Sequence, residues 1–240
     1  MEAHIMQVEI WTDVNCPFCY LGKKRFNDAL IEFDHADQVD VVHRSFELDP
    51  TAPTGTSGNV IDHLAKKYGR TLEEAEAGER QLGAAANEAG LEYVVTGRDV
   101  GNSFDMHRLL HWAKELGQQE QMLDALYAAN FADAEPLFGD TERLVRVAVG
   151  AGFDEAATRE VLADEQRYAD EVRADERQAQ EFGVNGVPFY VFDRKYAVSG
   201  AQPKELFAQA LSQAWGERPQ PTLLADSDAC GPDGCAVPQN

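Results

Sequence analysis

Lysine is scarce in this chain: seven stand beside 14 arginines and 42 acidic residues in 240, for a net charge of −21. That balance excludes the basic footprint that nucleic-acid binding needs. It also repels itself at low ionic strength and is screened at high salt. The composition is therefore the one expected of a halophilic protein; an acidic surface for a basic partner is the other reading. No apolar run approaches the ~18 residues of a membrane-spanning helix, and no membrane association is expected. Residues 1–7 carry neither the basic flank nor the apolar stretch of a secretory leader, so a cytoplasmic location is expected. Cysteine is rare as well, four in all. In the cytoplasm paired cysteines are more often catalytic or metal-binding than structural.

What is present is a chain with 44% apolar residues, long enough for one domain with a large insert or for two small ones. Its organising stretch is Cys16-Pro17-Phe18-Cys19. Val8, Ile10 and Trp11 read as a short strand, Asp13-Val14-Asn15 as a turn, and 17–33 as a helix with apolar residues at helical spacing. At a helix start the backbone N–H groups are unpaired and the dipole is positive, which favours a cysteine sulfur as thiolate. Pro17 fits the first turn because its missing N–H would have had no partner there. Cys16, taken to sit at the exposed end, is the expected attacking thiol; Cys19, one turn inside, resolves the mixed disulfide. Half of a zinc site or two buried small residues are the other uses of such a pair. Proline between the cysteines, on a strand-to-helix turn, favours redox chemistry.

A second strand follows at 39–46, so the first unit is strand, helix, strand with a parallel pair. After a flexible loop at 51–58 the pattern is almost wholly helical, with helices expected at 60–68, 72–89, 104–116, 120–132, 142–149 and 154–182, the last broken near Ala163-Asp164. Thr71 and Glu74 form a capping box for the second of these. Strand character returns at 187–192, turns at Asp193-Arg194, resumes at 196–198, and a helix closes at 204–215. One α/β sheet is interrupted by a helical insert. The expected division is 1–50 with 183–217 as one domain, 51–182 as the insert, and 218–240 as a tail.

The motif CPFCYLG at 16–22, Asn102-Ser103-Phe104 with His107-Arg108-Leu109, GVPF at 186–189 and SGAQP at 199–203 occur in that order. In these stations the chain resembles the DsbA-type thioredoxin-fold disulfide oxidoreductases, and among them the FrnE subfamily. The resemblance implies a thioredoxin fold with a large α-helical domain between a βαβ and a ββα unit. It implies a protein dithiol/disulfide oxidoreductase without bound cofactor or metal, acting on protein or small-molecule thiols and disulfides as a monomer or homodimer. It further implies a cis Val187-Pro188 peptide facing the cysteines, with Val187 free to pair with an extended substrate. Pro17, Phe18, Val187 and Pro188 would bind substrate, and Asn102 and His107 would line the cleft as positioning groups. Phe18 stands where some relatives carry histidine, so a less acidic thiol and a less oxidising disulfide are expected.

Cys230 and Cys235 flank a Gly-Pro-Asp-Gly turn, a spacing compatible with a disulfide. By the same resemblance they form an auxiliary redox pair that exchanges with Cys16; oxidisable thiols in a disordered tail, or a zinc site of all four cysteines, are the alternatives. His107 and His111 have metal-ligand spacing on one helix face, but the apolar residues around them favour buried structural roles. Glu47 reads either as a proton acceptor for Cys19 or as a solvated strand-end carboxylate. The acidic run at 164–181 reads as a salt-bridged solvent face. The competing function is a glutathione-dependent isomerase or transferase of small aromatic compounds, like 2-hydroxychromene-2-carboxylate isomerase, for which Cys19 would be dispensable. A zinc-stabilised binding module is the third.

Overall fold

The computed structural model describes residues 5–217. Strand β1 (Met6–Thr12) runs into α1 (Pro17–Ile31) and returns as β2 (Val39–Ser45), parallel to β1 with Val8 opposite Val41. There follow β3 (Ser57–Asn59), α2 (Val60–Tyr68), α3 (Leu72–Glu88), β4 (Asp99–Gly101), α4 (Phe104–Glu115), α5 (Gln119–Tyr127), α6 (Thr141–Gly150), α7 (Glu155–Ala163) and α8 (Ala169–Glu181). The chain then completes the first sheet with β5 (Phe189–Phe192) and β6 (Tyr196–Ser199), and ends in α9 (Lys204–Gly216). The sheet order is β2-β1-β5-β6, with β5 antiparallel to β1 and β6 antiparallel to β5. This is the α/β thioredoxin fold with a helical insert that the sequence implies.

β1 is buried along nearly its whole length because both sheet faces are covered. On one face Met6, Val8 and Ile10 pack with Phe26 of α1, Tyr190 and Phe192 of β5, and Phe207 and Leu211 of α9. On the other Trp11 and Val191 meet Ala179 of α8 and Val184. The insert has its own core around Leu109, Leu126 and Phe131, and that cluster takes in Val14, Cys16 and Cys19. The cysteines therefore sit at the seam between sheet and insert.

Three expectations change. The loop at 51–58 is not wholly free: Ser57–Asn59 pairs antiparallel with Asp99–Gly101. The helix expected to run to 132 gives way after Tyr127 to a wider π turn over Ala128–Ala132. The run at 164–181 is not only a solvent face, since Asp175 on α8 is buried and accepts from Ser45 N at 2.9 Å and Arg44 at 3.0 Å. In the β5–β6 turn, where Lys195 N donates to Phe192 O at 2.9 Å, Asp193 and Arg194 both adopt positive φ, the pattern of the central residues of a type I′ turn.

Candidate redox site

Cys16 is the N-cap of α1, with extended backbone and Pro17 at the first helical position. Its carbonyl accepts Cys19 N at 2.9 Å and Tyr20 N at 3.3 Å, closing the first turn and holding the two thiols one turn apart. Both cysteines are free thiols. Contrary to expectation Cys16 is not exposed: 4% of it reaches solvent, against 1% of Cys19. The segment 186–188 lies over it, and Cys16 Sγ donates to the Val187 carbonyl at 3.4 Å. The Val187–Pro188 peptide is cis.

The reason for glycine in the 16–22 motif is packing. A Cβ at Gly22 would stand 2.6 Å from Tyr190 Oη and 3.0 Å from Pro188 Cγ, so only a bare backbone lets α1 close onto the 188–190 segment.

Burial raises the Cys19 thiol well above its ordinary pKa, and the neighbouring Cys16 sulfur adds to it; the Thr12 hydroxyl and the Asp13 backbone N–H pull partly the other way. Thr12 in turn shares a buried hydrogen bond with the Tyr127 hydroxyl. The turn before α1 is held from the insert: Asn15 Nδ2 donates to Gly101 O at 2.8 Å and Asn130 Nδ2 to Val14 O at 2.7 Å. Asp13 accepts from Asn15 N at 3.1 Å and Leu48 N at 2.7 Å, and His107 stands against it. Sequence reading took Asp13 and Asn15 only as turn formers and passed over Thr12, Tyr127 and Asn130. An aspartate three residues before the first cysteine was the one signal available.

Cys16, Pro17, Phe18 and Val187 lie on the wall of a cleft of about 890 Å3 between the motif, α2 and α3. Phe18, half exposed, lines it, as do the apolar side chains of Leu48 and Val60. Three expected members are elsewhere. Pro188 packs behind the wall against α1. Asn102 turns away, donating to Ala52 O at 3.0 Å and accepting from Phe104 N at 3.0 Å, which leaves it a loop fastener. His107 is fully buried behind the motif. Cys230 and Cys235 lie outside the described residues.

Glu47 is neither solvated nor shown against Cys19. It is buried, its Oε2 accepts from Arg173 at 2.6 Å, and its Oε1 has no partner among the described residues. Burial raises its pKa despite Arg173 and His107. His107 and His111 face different carboxylates, Asp13 and Asp175. Ser45, His111 and Asp175 do not form a catalytic triad, because serine and aspartate both meet the same ring nitrogen, Nε2. Among the described residues no group of three or more His, Cys, Asp or Glu side chains is placed to hold a metal ion, and no helix is long and apolar enough to cross a membrane.

A βαβ and a ββα unit sharing one sheet, with two free thiols at the start of the first helix, define a dithiol protein of thioredoxin fold. Residues 7–212 match the profile of the DSBA-like thioredoxin domain, and the chain belongs to that family. It is similar to a probable DsbA oxidoreductase, SCO1869, from Streptomyces coelicolor, at 58% identity and TM-score 0.87, covering 98% of this chain and all of that one. It is 26% identical over 213 residues to the uncharacterized protein YwbO of Bacillus subtilis, covering 88% of this chain and 97% of YwbO. A 2-hydroxychromene-2-carboxylate isomerase shares the fold at 17% identity and TM-score 0.59, over 88% of this chain and 94% of that one. Fold alone thus does not separate exchange from isomerisation.

Proposed function

We propose that this chain is a cytosolic dithiol/disulfide oxidoreductase of the FrnE type, exchanging disulfides with protein or small-molecule substrates through Cys16 and Cys19. The observation that carries the reading is Cys16 itself: a free thiol at a helix N-terminus, one turn from a second free thiol, on the wall of a substrate-sized cleft. An isomerase of this fold needs one thiolate, and Cys19 favours exchange.

Cys16 Sγ, at the N-cap of α1, attacks one sulfur of the substrate disulfide as the thiolate and releases the first substrate thiol. Cys19 then loses its proton and attacks Cys16 Sγ, releasing the second substrate thiol. Pro17, Phe18 and Val187 contact substrate; Pro188 supports Val187 from behind, and Asn102 and His107 act by holding the loops around the motif. No resident cofactor is needed, since the electrons reside on sulfur. Cys230 and Cys235 serve as a second pair that takes over the disulfide by exchange. Residues 1–50 and 183–217 are the thioredoxin-like domain, 51–182 the insert and 218–240 the tail, and the acidic surface is an adaptation to high salt. Cys16→Ser is expected to abolish catalysed disulfide reduction in high-salt buffer; full activity in that variant overturns the assignment.

A further inference from the structure

The cleft inverts the charge of the chain. Acids outnumber bases 42 to 21 overall, yet the wall carries Lys66, Lys67, Arg70 and Arg98 against Asp49, Asp62 and Glu79. Arg98 and Glu79 neutralise each other in a buried pair. Lys66, Lys67 and Arg70 are exposed at the end of α2 and just beyond it. Four of the other five lysines, Lys23, Lys24, Lys195 and Lys204, each hold an oxygen partner. Lys67 and Arg70 instead flank the Tyr68 ring at 6.0 and 5.9 Å, and none of the three is ion-paired among the described residues. The helix dipole accounts for lysines at 66 and 67, but not for Arg70, which follows the Gly69 C-cap. A volume of about 890 Å3 lies within the range of small-molecule sites, roughly 300–1,000 Å3.

We propose that this basic rim, in a cleft also lined by Phe18, Leu48 and Val60, selects a small disulfide that carries carboxylates on an apolar body. The inference rests on the oxidoreductase reading. In the balanced step the reduced chain and R–S–S–R give the Cys16–Cys19 disulfide and two R–SH. The substrate S–S bond breaks, the protein S–S bond forms, two electrons pass to the substrate, and the two cysteine protons end on the two leaving thiols.

The test oxidises the reduced full-length chain with dithiodipropionate (dianionic), hydroxyethyl disulfide (neutral) and cystamine (dicationic). The Cys16/Cys19 peptide is followed by thiol trapping and mass spectrometry, and each rate is divided by that of a free monothiol. The dianion is expected to outpace the dication at low salt, against the sign of the net charge, and this preference shrinks at high salt. In Lys66→Glu/Lys67→Glu/Arg70→Glu the ratio of dianionic to neutral rates falls about tenfold, the size of three exposed charge pairs together. A faster dication in the wild-type chain, or a ratio unmoved by both salt and charge reversal, overturns the proposal. If the neutral disulfide also leaves Cys16 and Cys19 reduced, the oxidoreductase reading beneath it fails too.

Discussion

His107 Nε2 lies 3.5 Å from Asp13 Oδ1, and neither side chain reaches solvent. The separation is that of an ion pair, too long for a well-formed hydrogen bond, and His107 Nδ1 has no partner among the described residues. Burial alone would lower the His107 pKa; the carboxylates of Asp13 and Glu47 more than reverse this, and it is raised. A histidine whose folded pKa exceeds its unfolded value of about 6.5 contributes stability that is fully present below that value and is lost as pH rises through the folded one. Urea midpoints of the wild type are therefore expected to fall as pH rises above about 6.5, and those of His107→Gln to fall less. The cysteines are common to both, so equal slopes would refute the role of His107. Glu47, its pKa raised by burial, adds a slope of the same sign at lower pH.

Glu120 gives the opposite sign. Burial would raise its carboxyl, but His43 and Lys23 outweigh that and hold it at about 2. The stability it contributes is present above its unfolded value of about 4.3 and is lost as pH falls toward 2. Lys23, nearly buried on α1, meets Glu120 at 2.5 Å and Asp124 at 2.7 Å. Lys23→Met is expected to move the acid-unfolding midpoint upward, as followed by circular dichroism. An unchanged midpoint means that the pair contributes nothing.

Gly22→Ala drives a methyl into Tyr190 Oη. Overpacking of this kind costs about 1–3 kcal/mol. The Tyr190 hydroxyl is buried and without a partner among the described residues, so Tyr190→Phe removes the obstacle at little cost. The double variant is expected to regain much of the stability lost in Gly22→Ala, as read from a double-mutant cycle; simple additivity would place the strain elsewhere.

Cys19→Ser removes the resolving thiol while leaving Cys16 on the cleft wall. With Cys230 and Cys235 also replaced by serine, incubation with a substrate disulfide is expected to accumulate a mixed disulfide at Cys16 that only added thiol releases, visible as a mass adduct. Rapid release in the variant would assign resolution to another group.

The redox motif, the helix it opens, the hairpin and most of the insert were legible because each is written in local spacing: apolar positions at helical intervals, a capping box at Thr71 and Glu74, a proline inside the cysteine pair. Ser57–Asn59 and Asp99–Gly101 were not, since three-residue strands carry no alternation to read. The burial of Cys16 was hidden for a different reason. Its cover comes from a segment 171 positions away, and no property of residues 16–19 records it. Asp13 was half legible: an aspartate in a turn looks the same whether its second oxygen meets water or, as here, Leu48 N, and whether or not a buried histidine stands against the first.

Cys16 and Cys19 belong to the buried cluster that also holds Leu109, Tyr127 and Phe131. Heat and electrons are thereby coupled. Around a closed cycle, the difference in unfolding free energy between the oxidised and reduced chain equals the difference in reduction potential of the pair between folded and unfolded states. For a two-electron couple about 30 mV corresponds to about 1.4 kcal/mol. Melting curves of the two redox forms would thus report how much more, or less, the folded chain favours its disulfide than the unfolded chain does.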